Sequence, residues 1–486
     1  MSTAVVLGGG FAGVLAAAVL ARHVDEVTLV EGGGPYPDGP AERSGVPQAH
    51  HNHVLVAGGA RALEALLPGT VADLLARGAH RRDLPGDALV LSADGWFRRH
   101  PTGADVISCS RWLTDHVVRR RAFADAAVTV REGTRVRALT GDAARVTGVV
   151  VERPDGRAET IRADLVVDAT GRRSRSGRWL AALGVAAAQE ETVDAGLAYA
   201  TRVFRAPPDL AASVPAVMVH PRPGPGGAGH GATLFPIEDE RWIVTLTGTR
   251  GNAPPVHEQD FTECAYALRS PVVAELMAAA KPLGGVRPYR STANRRRYVE
   301  RQAIPAGFLV LGDALVALNP VYSHGMSVAA LAVLRLDREL ARHGADPAAL
   351  PRIQAAVAAE TEPAWRMATV RDRPGGPAPA ASPFAQRARE WAARATLSSP
   401  LLMSRMFRAQ MLIEPEPSVD ATRTELGEAR TEPDATRTEL GVARAEANAA
   451  LLRELSRDPG PLLGTDEAIA QYPALADWWL SGRRPG

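Results

Sequence analysis

An apolar run, Ala4-Val5-Val6-Leu7, leads into Gly8-Gly9-Gly10-Phe11-Ala12-Gly13 and then into a helix-like stretch over residues 14–23. A second apolar run, Val27-Thr28-Leu29-Val30, ends at Glu31. Strand, glycine turn, helix and strand in that order make a βαβ unit. Gly8, Gly10 and Gly13 fill the pattern G-x-G-x-x-G. The first allows a tight turn, the second lets a pyrophosphate approach the backbone, and the third permits close helix–strand packing. The helix N-terminus beyond them favours an anion. Glu31 is placed to accept hydrogen bonds from a ribose. In a chain with 45 glycines the spacing alone is weak. Its flanking strands and the acid make it a prediction of a bound dinucleotide.

The chain has 486 residues, too many for one core, so two or three packed units are expected. Hydrophobic residues at 46% and charged residues at 23% exclude wholesale disorder. Lysine and arginine total 56 against 54 acids, and Lys281 is the only lysine. The positive charge is therefore arginine, spread along the chain rather than clustered as a nucleic-acid footprint would be. Cys109 and Cys264 are too few for a disulfide scaffold or a four-cysteine zinc site. The N-terminus lacks a basic leader, and the apolar run over residues 11–21 is shorter than the roughly 20 residues of a membrane span. A cytoplasmic protein with no membrane span is expected.

Residues 128–151 alternate like short strands, and residues 164–168 and 308–313 read as buried strands. Between residues 184 and 249 the β-runs lengthen, at 199–204, 232–237 and 242–247, with turn residues between them. That block predicts an antiparallel sheet. A helix is expected over residues 326–340. Beyond residue 345 the chain is helical in tendency, with a Pro/Gly-rich break near 374–383. A tandem repeat with a 14-residue period begins at Asp420 and Asp434, spans 420–444, and reads as a duplicated solvated segment.

Residues 164–171 (DLVVDATG) and 307–326 (GFLVLGDALVALNPVYSHGM) resemble flavoprotein monooxygenases of the aromatic-hydroxylase fold. Over roughly residues 1–370 the chain is most similar to bacterial polyketide-tailoring flavoproteins. Residues 45–53 (GVPQAHHNH), 194–202 (DAGLAYATR), 236–244 (PIEDERWIV), 290–296 (RSTANRR) and 319–327 (NPVYSHGMS) carry that likeness. It covers polyether epoxidases and the flavin-containing [4+2] cyclases that build the dialkyldecalin of spirotetramate and spirotetronate antibiotics. The fold implied is α/β, a discontinuous Rossmann-type FAD-binding domain with an inserted antiparallel substrate sheet and a C-terminal helical region. The FAD domain takes residues 1–75, 100–180 and 286–345. The substrate domain takes 76–99 and 181–285, and the helical region 346–486. Implied contacts to FAD are Gly8, Gly10, Gly13, Glu31, Arg43, Arg111, Val136, Gly312, Asp313, Pro320, Gly325 and Met326. Asp313 is expected on the ribityl chain, and the loop over residues 320–325 beside the isoalloxazine ring.

Three departures from the epoxidases bear on the reaction. Glu31 is followed by Gly32-Gly33-Gly34 where they carry arginine, His50 replaces another arginine, and Ser323 replaces a glycine beside the ring. The missing arginines are groups that would meet phosphates of FAD or of an incoming nicotinamide. They tilt the reading to non-redox [4+2] cycloaddition of a linear polyene polyketide, with FAD in a structural role. The alternative is epoxidation of polyene alkenes with NAD(P)H and O₂. His324 reads either as a donor to a substrate carbonyl or as a loop former. Tyr322, Trp242, Phe235 and Tyr199 read either as walls of an apolar pocket or as core. His51 and His53 would share one face of a strand, but no cysteine or carboxylate completes a metal set, and none is expected. Arg295-Arg296-Arg297 reads as a solvated or salt-bridged run.

Overall fold

The computed structural model describes residues 1–43, 45–124, 128–222, 229–249, 251–373, 382–414 and 449–481. The repeat over residues 420–444 and most of the break near 374–383 lie outside them.

Five short runs from both halves of the chain become strands of one sheet. Thr3–Leu7 lies at its centre, Leu165–Asp168 and Phe308–Val310 on one side, Glu26–Val30 and Val128–Arg131 on the other, and all neighbours pair in parallel. Parallel strands are buried on both faces, which is why they are written as unbroken apolar runs. Phe11–Leu20 packs on one face, and the long helix Gly325–His343 covers the sheet beside it. The order of strands reverses at Thr3–Leu7, so a crevice opens beyond the carboxyl ends at that switch point. Gly8, Glu31, Ala169 and Gly312 all sit just past strand ends and all border it.

The middle block forms a six-stranded sheet in the order Lys281–Tyr289, Leu197–Arg205, Arg241–Thr249, Gly231–Ile237, Ala216–Val219, Ala88–Leu91. It is antiparallel except for the last pair. Half of its strands also alternate too little to be told from buried helix by pattern alone, but their β-branched content settles it. The meander of Arg135–Gly141, Val146–Glu152 and Ala158–Arg162 is a separate three-stranded sheet.

The C-terminal helices pack on the rest of the chain. Leu350–Asp372 lies against Gly325–His343. Phe407, in Pro400–Gln410, packs on Phe97 at 5.1 Å between ring centroids. Tyr472 donates its hydroxyl hydrogen to a carbonyl near Ala88, with the oxygens of Pro85 and Ala88 both 2.7 Å away. The tail thus covers both other units. No helix among the described residues is long and apolar enough to cross a membrane.

Candidate functional site

A cleft of ≈ 1220 Å³ runs along the carboxyl ends of the parallel strands. Its floor is the glycine turn. Gly8 has φ +96°, a left-handed conformation, and a Cβ there would lie 2.6 Å from the Ala169 carbonyl oxygen. Gly13 faces away from the cleft, and its missing Cβ lets the Gly8 carbonyl oxygen approach to 1.8 Å of where that carbon would stand. The helix Phe11–Leu20 therefore starts directly under the turn, with its N–H groups aimed at the crevice.

Glu31 is held by its own chain. The Gly9 and Gly33 N–H groups donate to its two oxygens at 2.7 and 2.6 Å. Arg43 Nη1 stands 3.5 Å from the same carboxylate and donates to the Gly9 carbonyl at 3.0 Å. Arg119 joins it: the two guanidiniums lie 4.9 and 4.5 Å from the Tyr36 ring centre. His50 pairs with Glu42 at 3.1 Å.

Across the cleft, Gly312 and Asp313 follow the strand Phe308–Val310 in a short 3₁₀ turn. Burial raises the Asp313 pKa, against the pull of the Arg172, Arg111 and Arg295 cations. Arg172 Nε lies 3.6 Å from its carboxylate. Val136, Arg111, Pro320, Gly325 and Met326 complete the lining among the residues expected to contact FAD. Arginines outnumber acids eight to three along the cleft, which suits an anionic dinucleotide. A Cβ on Gly10 would meet no protein atom within 4 Å, so that position is kept open to the cleft. The glycine turn, the helix terminus, the acid at the end of the second strand and the surplus of cations fit FAD.

The pocket-wall candidates lie elsewhere. Trp242 is fully buried within the six-stranded sheet's core, and Phe235 is 2% exposed on its other face. Neither borders the cleft, because the apolar faces of that sheet are filled by helices Val272–Ala279 and Pro400–Gln410. Tyr199 is a layer back, stacked at 5.1 Å on Tyr289, which does border it. His324 Nε2 donates to the Gln410 carbonyl at 2.8 Å, and Nδ1 is buried without a partner among the described residues. Burial lowers its pKa to about 4, so the neutral ring has one N–H and the backbone holds it. Its N–H is engaged by the backbone of residue 410, which ties the loop to helix Pro400–Gln410.

Tyr322 donates to Asp372 at 2.6 Å, and Asn294 and Asn319 donate to the same carboxylate at 2.7 Å each. This buried carboxylate ties the loop over residues 319–325 to the end of helix Leu350–Asp372. Asp372→Ala leaves three buried donors unmatched and is expected to cost about 3 kcal/mol of folding stability. Denaturant midpoints of the two proteins test this, and equal midpoints would remove Asp372 from the loop's support.

Sequence reading missed Arg172 and Tyr289 as cleft residues. Arg172 directly follows the Asp-Ala-Thr-Gly motif, a signal that was available. Tyr289 ends a strand rich in glycine and proline and carries none.

A model of the FAD binding domain family matches residues 1–369. Protein Rv3254 of Mycobacterium tuberculosis is 32% identical over 391 residues, 76% of this chain and 80% of that protein. Kynurenine 3-monooxygenase of Salinispora tropica is 29% identical over 375 residues, 72% of this chain and 75% of that one. Among solved structures, the Diels-Alderase PyrE3 of the pyrroindomycin pathway has a TM-score of 0.59 at 18% identity, covering 85% of this chain and 81% of that one, a likeness of fold alone. The chain belongs to the FAD binding domain family, flavoproteins of the aromatic-hydroxylase-type monooxygenase fold, and the crevice that the parallel sheet opens at its switch point fits that cofactor.

Proposed function

We propose that the protein is an FAD-dependent monooxygenase, transferring one atom of O₂ to a small organic substrate while NAD(P)H supplies two electrons and the second atom leaves as water. FAD, when bound, supplies the oxygen-activating redox chemistry. The residues around it do the rest. Glu31 and Asp313 would hold its hydroxyl groups, and the turn at Gly8 and Gly10 its pyrophosphate. The loop over residues 320–325 and Met326 would keep water from the reacting end. The carrying observation is one part of the cleft lining. It comprises Gln48, Asn52, His53, Tyr289 and Ser291, a mixed polar and aromatic wall suited to a second, polar-tipped molecule. Similarity to a kynurenine monooxygenase supports the same reading.

One support for cyclisation weakens: Trp242, Phe235, Tyr199 and Tyr322 are not among the residues that line the cleft. One observation keeps that second reading in place. Ser323 holds a left-handed backbone, φ +56°, on the cleft wall where the polyether epoxidases carry glycine. Bulk there crowds oxygen chemistry and suits a rigid wall against which a polyene folds for [4+2] closure, where positioning alone can contribute on the order of 7–11 kcal/mol.

Product mass separates the two. Incubated with a linear polyene polyketide or an aromatic amino ketone, the enzyme is expected to consume NAD(P)H with substrate and give a product one oxygen heavier. An isomer of unchanged mass, formed without O₂ or NAD(P)H, would replace this reading with the cyclase.

A further inference from the structure

Three histidines stand together at residues 50, 51 and 53, and the structure separates their roles. His50 pairs with Glu42. His51 Nδ1 bonds the Thr201 hydroxyl at 2.9 Å, and its ring is wedged against Tyr199 and Tyr289. His53 alone borders the cleft. It lies between the 3₁₀ turn Pro47–His50 and the strand Val54–Val56, not on a strand with His51.

The His53 ring can be assigned atom by atom. Nδ1 is 2.9 Å from the His51 carbonyl oxygen, which can only accept, so Nδ1 carries the hydrogen. Burial and then the nearby Arg111 cation push its pKa down to about 3, so the ring is neutral at physiological pH. A neutral ring with hydrogen on Nδ1 leaves Nε2 bare, an acceptor. Among the described residues no group donates to Nε2, and it is not sealed in the protein. An open acceptor on a residue that borders the cleft calls for a donor from the ligand.

We propose that His53 Nε2 accepts a hydrogen bond from an N–H or O–H group of the ligand bound in the cleft, either the ring imide N–H of FAD or a phenol- or enol-type hydroxyl of the substrate. The substrate arm rests on the reading of this cleft as a two-ligand site; the FAD arm does not. Neither needs turnover to be tested.

The variants are His53→Phe, which keeps a ring and removes the acceptor, and His53→Gln, whose amide oxygen reaches to the same place. FAD dissociation constants are measured by flavin fluorescence. Binding of phenol and of its non-donating methyl ether anisole is then read from the flavin absorbance of the holoproteins. If FAD is the donor, His53→Phe holds it about tenfold more weakly and His53→Gln restores it. If the substrate is the donor, FAD affinity is unchanged, phenol loses its preference over anisole in His53→Phe, and His53→Gln recovers it. Parental FAD affinity together with a parental phenol-to-anisole ratio in His53→Phe would overturn the assignment. Should His53→Phe not fold, His53→Leu takes its place with the same outcomes. Failure of the monooxygenase reading leaves these results standing, because none of them involves NAD(P)H or product.

Discussion

A Gly13→Ala protein is expected to purify almost colourless, holding FAD at least about tenfold more weakly than its parent and unfolding at lower denaturant. The added Cβ would stand 1.8 Å from the Gly8 carbonyl oxygen. That oxygen cannot yield, because Gly8 is itself wedged against Ala169 and Thr170 in a left-handed turn. The helix must therefore withdraw from the strand, at about 1–3 kcal/mol for overpacking. Its first N–H groups move away from the crevice with it. Each further 1.4 kcal/mol lost at those groups is roughly a tenfold change in affinity. Gly10→Ala is the control, since its Cβ meets no protein atom within 4 Å. That variant should keep the stability of the FAD-free protein while still obstructing the cofactor. Flavin-to-protein absorbance ratios and denaturation curves with and without FAD distinguish the two. A Gly13→Ala protein with parental FAD affinity would show that helix packing does not set the turn.

The parallel sheet is legible because strands buried on both faces must be apolar throughout, and Ala4-Val5-Val6-Leu7 and Leu165-Val166-Val167 are. The glycine turn is legible because its chemistry is local: the backbone needs Gly8 and Gly13 within six positions. Glu31 follows from the same local logic. Arg43 is named by the family resemblance, but its contacts to Gly9 and Glu31 are not local. Its guanidinium reaches Gly9 and Glu31 only because the segment over residues 32–42 doubles back, and nothing in a sequence states where a glycine-rich loop returns.

The aromatic wall fails for a related reason. Trp242 and Phe235 sit on adjacent antiparallel strands, and alternation tells that each strand has two faces. It does not tell which face meets the cleft. Helices from distant parts of the chain, including Pro400–Gln410, cover both faces, and their docking depends on contacts separated by hundreds of residues. His324 was ambiguous on the same ground, because its partner Gln410 belongs to that distant helix.

Asp313 gives the second large effect, and its sign depends on pH. Its side chain is 32% exposed, open to the cleft, and Arg172 is its neighbour at 3.6 Å. Sugar-alcohol hydroxyls donate more strongly to a carboxylate than to a carboxylic acid. Removing it in Asp313→Ala forfeits a charge-assisted hydrogen bond worth roughly 2 kcal/mol, about thirtyfold in FAD affinity. Burial raises the Asp313 pKa above the ordinary carboxylate value in the FAD-free fold. A raised folded-state pKa means that the folded chain holds this proton more tightly than the unfolded one. Its contribution to the FAD-free stability is therefore full below the ordinary carboxylate pKa and is lost as pH rises through the raised value. FAD binding runs the opposite way. It prefers the ionised group, so FAD affinity should fall as pH is lowered through the raised pKa, before ordinary carboxylates titrate. Asp313→Asn cannot ionise and should bind FAD weakly with a much flatter pH dependence. Fluorescence titration of both proteins from neutral into the acid range measures it. Parallel pH profiles for the parent and Asp313→Asn would place the titrating group elsewhere in the cleft.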